Sequence, residues 1–339
     1  MKPTVIIDCD PGIDDAIALI YLAGLHKAGE ITLAGVTTTA GNVDISHTTA
    51  NARWILDNCG LTDVPVAPGL PAPLEVPLIT TPETHGPSGL GYLEVPPVDY
   101  EHNRVSPSPT WQDIWDAALR KSDNVHLLVT GPLTNAAHYY HEVVDGKRSI
   151  AADASFAAVT VMGGAINYRG NTTPTAEWNF WVDPHAAQDF FAAAGIDKQS
   201  GLFPPATLCS LGVTEQFLIT PQTMDALIET LGGHPLAAAI PPLLQFYFEF
   251  HEKNGEGYQA QIHDALTAMV AVGALPADAV RTIDTMVDIE ADSSLMRGTS
   301  VADLRNHWET DDRNCHLVTA VEMSAAHSEL LRVCAVLAQ

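Results

Sequence analysis

The chain has 339 residues, enough for one large α/β domain or two smaller ones, with a core that needs no covalent staples. Acidic residues outnumber basic ones 41 to 16, a formal charge of −25. That balance excludes the basic footprint nucleic acid demands and disfavours anionic membrane surfaces; it suits solubility, cation binding, or an acid-tolerant or salt-adapted host. The cysteines at 9, 59, 209, 315 and 334 are scattered, odd in number and form no C-x-x-C pair, as expected of free thiols in a reducing compartment. The apolar run before Asp8 is too short for a signal peptide, and no apolar run approaches the roughly eighteen residues of a membrane span, so a cytoplasmic protein is expected.

Val5-Ile6-Ile7 reads as a short buried strand. Pro11-Gly12 forces a turn, and Asp14-Asp15 open an apolar helix of about fifteen residues. Thr32 to Thr39 is a second strand ending in Thr-Thr-Thr-Ala-Gly-Asn, and 43–58 a helix with Ala50, Trp54 and Ile55 on one face. Val64 to Ala67 is a short strand. Residues 68–108 are rich in Pro and Gly without a period, a loop long enough to be functional or mobile, and they carry His85-Gly86-Pro87-Ser88-Gly89. A helix near 110–121 leads to the strand Val125 to Thr130, then Gly131-Pro132-Leu133-Thr134-Asn135 and another helix. The strand Ser155 to Met162 ends in Gly163-Gly164. The loop 165–182 holds Asn171, Glu177 and Asn179, and Asp183-Pro184 starts a further helix. Residues 220–275 read as mostly helical, broken by a glycine-rich bend at 254–257 and interrupted at His263-Asp264. Residues 280–323 alternate like strands, and 324–338 form a last helix. No repeat and no low-complexity linker divides the chain. The expected fold is a single α/β domain over 1–339: a mostly parallel sheet with helices on both faces, extended by helical and β structure after about residue 200.

Asp10, Asn42, Thr130 and the Asn171–Asn179 group each follow a predicted strand, so a parallel sheet would converge them on one rim, where ligands of such sheets bind. Four aspartates, Asp8, Asp10, Asp14 and Asp15, fall within eight residues there. Two like charges about 4 Å apart repel by roughly 4 kcal/mol at an effective dielectric near 20. A helix N-terminus offsets only about 1 kcal/mol of that. Either carboxylates protonate or a cation sits among them, and all-oxygen ligands favour a hard one, Ca²⁺ or Mg²⁺. The plainer alternative is that Asp14 and Asp15 cap a helix while Asp10 holds a turn.

The run Asp8-Cys9-Asp10-Pro11-Gly12-Ile13-Asp14-Asp15-Ala16 resembles the signature of the calcium-dependent, inosine–uridine preferring nucleoside hydrolases. The resemblance continues in order through Thr-Ala-Gly-Asn at 39–42, His85-Gly86, Thr130 to Asn135, Met162-Gly163-Gly164, Gly170-Asn171, Ala176-Glu177-Trp178-Asn179, His263-Asp264 and Val301 to Asn306. It implies Ca²⁺ on Asp10, Asp15, the Thr130 carbonyl and Asp264, with Asp8 in support and waters completing the shell, one of them the nucleophile. It further implies that Asp14, Asn171, Glu177 and Asn179 grip the ribose and Asn42 orients the water. Met162 and Trp178 would line the sugar pocket, and His85 and His263 would face the base. A ribonucleoside substrate and a homodimer or homotetramer are implied as well.

That chemistry accounts for the residue types. Cleaving an N-glycosidic bond passes through an oxocarbenium-like sugar, as in O-glycoside hydrolysis. Ca²⁺ acidifies water less than Zn²⁺ does, so a carboxylate base is required, and Asp10 is the candidate. Carboxylates around the sugar complement its developing positive charge. His263 could protonate the departing base, or merely pack at a helix start. His85 could equally be an exposed loop histidine. Trp178 could stack on the base or fill core. His263 before the metal aspartate resembles less selective, pyrimidine-accepting members, whereas Ala176 to Asn179 looks closer to purine-preferring ones; broad ribonucleoside hydrolysis is expected, with inosine and uridine as first substrates. Two rivals remain at this point. A haloacid dehalogenase-like phosphatase also places Asp-x-Asp after its first strand, but has Thr or Val where this chain has Gly12. A non-catalytic Ca²⁺ or ribose binder is the other; an EF-hand loop from Asp8 would need an acidic residue at position 19, which is Leu.

Overall fold

The opening apolar run forms β1 (Thr4–Cys9), buried from Val5 onward. Its alternation feeds two cores: Val5, Ile7 and Cys9 face one, and Ile6 faces the other. A strand covered on both faces belongs at the middle of a parallel sheet, and that is where β1 lies. The computed structural model describes residues 2–97, 109–151 and 153–339; the stretch 98–108 of the long predicted loop lies outside the described residues.

The strands that follow are β2 (Thr32–Thr38), β3 (Val66–Pro68), β4 (Val125–Val129), β5 (Ala158–Met162) and β6 (Ala206–Cys209). After them come β7 (Leu218–Ile219), β8 (Ala260–Gln261), β9 (Val280–Thr285), β10 (Val287–Glu290), β11 (Thr299–Ala302) and β12 (Cys315–Val321). The main sheet has eight strands in the order β3-β2-β1-β4-β5-β6-β12-β9. Neighbours are parallel except β12 and β9. β10 pairs with β11, and β7 with β8, as two small antiparallel ribbons.

The helices in chain order are α1 (Ile13–Lys27), α2 (Ile45–Asn58), α3 (Pro82–His85), α4 (Trp111–Lys121), α5 (Thr134–Val144), α6 (Trp178–Val182) and α7 (Pro184–Ala193). They continue with α8 (Leu211–Thr214), α9 (Pro221–Leu231), α10 (Leu236–Lys253), α11 (His263–Ala271) and α12 (Met323–Leu337). Helices α1, α2, α9, α10, α11 and α12 contribute to one apolar cluster, and α4, α5 and α7 to the other. One mostly parallel sheet with a core on each face is the expected α/β fold.

Local differences have physical causes. Helix α2 starts at Ile45 rather than 43 because Asp44 accepts from the backbone N–H groups of Ser46 and His47 and caps it. The region after residue 200 is no appendage: β6, β12 and β9 extend the main sheet itself. β12 closes against β6 from more than a hundred residues downstream, a pairing that local periodicity does not reveal. His263-Asp264 do not interrupt a helix; they begin α11, after the short strand β8. Within the long loop the Thr-Pro-Glu-Thr-His run turns into α3 and buries His85.

Candidate active site

Parallel register brings the strand ends together. Asp8 of β1 lies opposite Thr37 of β2 and Val129 of β4, so Asp10, Asn42, Thr130 and Met162 emerge on one rim. Above them is a cavity of about 480 Å³, in the range of small-molecule sites. Its wall includes Asp14, Asn42, His85, Thr130, Met162, Asn171, Glu177, Trp178, Asn179, His263 and Asp264. Asp10, Asp15 and Asp8 lie beneath, all buried.

The floor is a carboxylate cluster. Asp14, Asp15 and Asp264 each offer an oxygen within 4.8 Å of the others. Asp15 accepts from Gly12 N (3.0 Å) and from the Thr130 hydroxyl (2.7 Å). Asp10 Oδ2 accepts from Asn42 N at 2.7 Å, while the Asn42 side chain donates to the Asp10 carbonyl. Asp8 Oδ1 accepts from Thr37 and Asn135. Among the described residues, Asp10 Oδ1, Asp8 Oδ2 and Asn42 Oδ1 are buried without a hydrogen-bond partner. Burial raises the carboxyls: Asp8 is pushed up to about 7, against hydrogen bonds that lower it. Asp14 is also pushed up to about 7, by burial and then by Asp15. Asp10 is raised well above the carboxylate range by burial and the Asp15 charge, and Asp264 by burial and the charges of Asp14, Asp15 and Asp10.

Buried carboxylates of one sign, with oxygens left unbonded, are unfavourable unless neutralised. The donor set is all oxygen, so these residues fit a hard divalent cation. Asp14 belongs to this cluster with Asp15 and Asp264, and Asp10 feels it through the Asp15 charge.

The sugar-facing side is built by α6 and the turns before it. Glu177 caps α6: its carboxylate accepts from Asn179 N (2.7 Å), Phe180 N (3.1 Å) and Gly164 N (2.9 Å). Burial outweighs these bonds and pushes it up to about 7. The Asn179 amide donates to the Thr130 carbonyl at 2.8 Å and to the Met162 carbonyl at 3.3 Å. Asn171 is more exposed, its Oδ1 accepting from Trp178 N. Trp178 lines the pocket and stacks on Trp181.

His85 is no exposed loop residue. It is buried, its Nδ1 accepts from Ile13 N at 3.1 Å, and burial lowers it to about 3. Its free nitrogen Nε2 therefore carries the proton. His263 is likewise buried and lowered to about 3, with Nδ1 against the Thr214 hydroxyl at 2.9 Å.

Residues not singled out from sequence complete the wall: Tyr247, Phe250, His251 and Asn254 from the α10 end, Gln261, and Arg169 bridging Glu215 and Glu256 at 2.9 Å each. The spacing 247, 250, 251, 254 is one helical stripe, which in sequence reads as a core-facing stripe.

Fold and pocket define an α/β enzyme for a small polar substrate, with a floor of carboxylates able to hold a cation. The family described as inosine-uridine preferring nucleoside hydrolase matches residues 5–328, and the chain belongs to it: it is a ribonucleoside hydrolase, an N-glycosidase. It is 34% identical over 307 residues to the pyrimidine-specific ribonucleoside hydrolase RihA of Enterobacter sp. (strain 638), covering 89% of this chain and 88% of that one. It is 31% identical over 328 residues to the inosine-uridine preferring nucleoside hydrolase of Crithidia fasciculata, covering 95% and 94%. Its fold is shared with the purine-preferring ribonucleoside hydrolase of Gardnerella vaginalis, at a TM-score of 0.82 and 24% identity over 99% of both chains. The dehalogenase-like phosphatase and the EF-hand have no place beside these matches. No helix among the described residues is long and apolar enough to cross a membrane.

Proposed function

We propose that the chain hydrolyses both purine and pyrimidine ribonucleosides with Ca²⁺ held by Asp10, Asp15, Asp264 and the Thr130 carbonyl, and with Asp8 supporting from beneath. The supporting observation is the buried carboxylate floor with unpartnered oxygens at the strand ends. The cation, when bound, supplies Lewis acidity toward water and the sugar hydroxyls. Asp10 is the base: Asn42 N fixes one of its oxygens, leaving Oδ1 to take the proton of the attacking water, which the Asn42 side chain helps aim.

Asp14, Asn171, Glu177 and Asn179 accept from or donate to the ribose hydroxyls. Glu177 keeps accepting capacity beyond its three backbone bonds, and its charge complements the oxocarbenium-like sugar. Met162 and Trp178 form the sugar wall. His85 and His263, held neutral by burial, face the base: His85 presents an N–H at Nε2 because its Nδ1 accepts from Ile13 N, and His263, set beside the Thr214 hydroxyl, assists departure of the base.

The test is reducing-sugar release from inosine, uridine and their 2′-deoxy counterparts. A site built to bond the 2′-hydroxyl leaves buried groups unpaired without it, so the deoxy substrates fall by about 10⁴-fold in kcat/KM. Equal rates on ribo- and deoxyribonucleosides would remove the hydroxyl grip. The same reading places the protein in the cytoplasm as a homodimer or homotetramer; size-exclusion chromatography with light scattering checks the assembly.

A further inference from the structure

The substrate-facing helix α6 is only five residues long and cannot hold itself in place. Its N-terminus is capped by Glu177, but its last carbonyls need outside donors. They come from a distant part of the chain. Arg297, between β10 and β11, donates from Nε to the Trp181 carbonyl at 2.9 Å and from Nη2 to the Val182 carbonyl at 3.1 Å. Its guanidinium also lies 4.3 Å from the centre of the Trp181 ring, and that ring stacks on Trp178, a wall of the pocket, at 5.7 Å and 25°.

The residues after it continue the grip. Gly298, at φ 75°, lets the backbone pass so close that a Cβ there would lie 2.6 Å from Trp181 Cα. Thr299 forms an antiparallel bridge with Ala176, and its hydroxyl meets that of Thr175 at 2.8 Å. Ser300 Oγ accepts from Ala165 N at 2.9 Å. The segment from Ala165 to Val182 is thus held along its length by four consecutive residues, 297–300. No residue of 297–300 lines the cavity.

We infer that Arg297 is a positioning residue for ribonucleoside hydrolysis: it clamps the C-terminal end of α6 so that Glu177, Trp178 and Asn179 meet the sugar in register. The inference rests on the reading that these three residues contact the substrate. The clamp's effect falls first on the sugar side, because Asp10 in the turn after β1, Asp15 on α1 and Asp264 on α11 receive no hydrogen bond from Arg297 among the described residues.

Arg297→Met keeps the apolar stem and removes the donors and the charge. Steady-state kinetics on whichever of inosine or uridine the wild type turns over better should show KM raised about tenfold, since displacements near 1 Å cost up to a hundredfold. The kcat should fall as well, because Glu177, whose charge faces the oxocarbenium-like sugar, shifts with the helix. Ca²⁺ affinity by calorimetry should match wild type, and Arg297→Lys, restoring a charge and one donor, should recover part of the KM. A folded Arg297→Met protein with wild-type KM overturns the inference. So does loss of Ca²⁺ affinity in step with KM, which would mark Arg297 as general scaffold. Should the Met variant not fold, the same two measurements on Arg297→Lys decide in the same way. Wild-type turnover of ribonucleosides is measured separately, so failure of the functional reading and failure of the clamp give different results.

Discussion

Asp10 shows how a single side chain is made reactive by what surrounds it. Two glycines crowd it: a Cβ at Gly41 would overlap Asp10 Oδ2, and one at Gly131 would lie 2.8 Å from Oδ1. One oxygen is fixed by Asn42 N and the other is left without a partner among the described residues. Asp10→Asn keeps this shape and removes the charge and the proton-accepting oxygen. Turnover should fall by at least about 10³-fold, within the span general bases contribute. The metal-free variant should melt no lower than wild type, because burial and the Asp15 charge already make the Asp10 carboxyl costly to ionise without the cation. Near-normal kcat would remove Asp10 as base; a large drop in the melting midpoint would assign it to structure. At this scale the sequence was most informative where residue type and chemistry coincide. The aspartates, Asn42 and the Asn171–Asn179 group all reach the predicted rim. His85 was misleading, since a loop of Pro and Gly gives no local sign that its histidine accepts the first N–H of a helix seventy residues earlier.

The elements matter through their ends. β1, β2, β4 and β5 each stop where a turn carries a polar group into the pocket, and the turns must be thin enough to pack there. Gly12 has an ordinary negative φ, yet a Cβ on it would come within 2.7 Å of both Asn42 Nδ2 and His85 Nδ1. Gly12→Ala is therefore a pure packing change that displaces two pocket walls together. Its expected cost is about 1–3 kcal/mol of stability. It should also cost up to a hundredfold in kcat/KM. Thermal melts and kinetics check both, and an unaltered kcat/KM would mean that Asn42 and His85 can move without consequence. Element order was legible because short apolar runs bounded by turn residues mark β1, β4 and β5, and a longer apolar run after Asp14-Asp15 marks α1. What stayed hidden was non-local. The place of β12 beside β6 depends on pairing across the chain, and the α10 wall of Tyr247 and His251 looks like any buried stripe until the sheet is assembled.

Across the whole molecule, a net charge of −25 surrounds a floor where Asp14, Asp15 and Asp264 meet. The general field attracts cations everywhere, weakly and with strong salt screening. The floor is different in kind, because its carboxylates are buried and raised by one another. A cation bound there but not by the unfolded chain stabilises the fold by about 2.7 kcal/mol at a hundred times its dissociation constant. For a chain of this size that is a rise of roughly 4 °C in the melting midpoint. The comparison should be made at fixed ionic strength, so that screening of the surface charge cancels. Ca²⁺ should give the rise, Mg²⁺ a smaller one because it demands tighter octahedral geometry, and a chelator should reverse it and abolish turnover. Asp264→Ala should erase the Ca²⁺ shift while leaving the metal-free midpoint unchanged or higher, since it deletes a repelling charge. A Ca²⁺ shift that survives in Asp264→Ala, or that monovalent salt reproduces in the wild type, would move the cation from the pocket floor to the acidic surface, and the Ca²⁺-assisted reading of the site would fall with it.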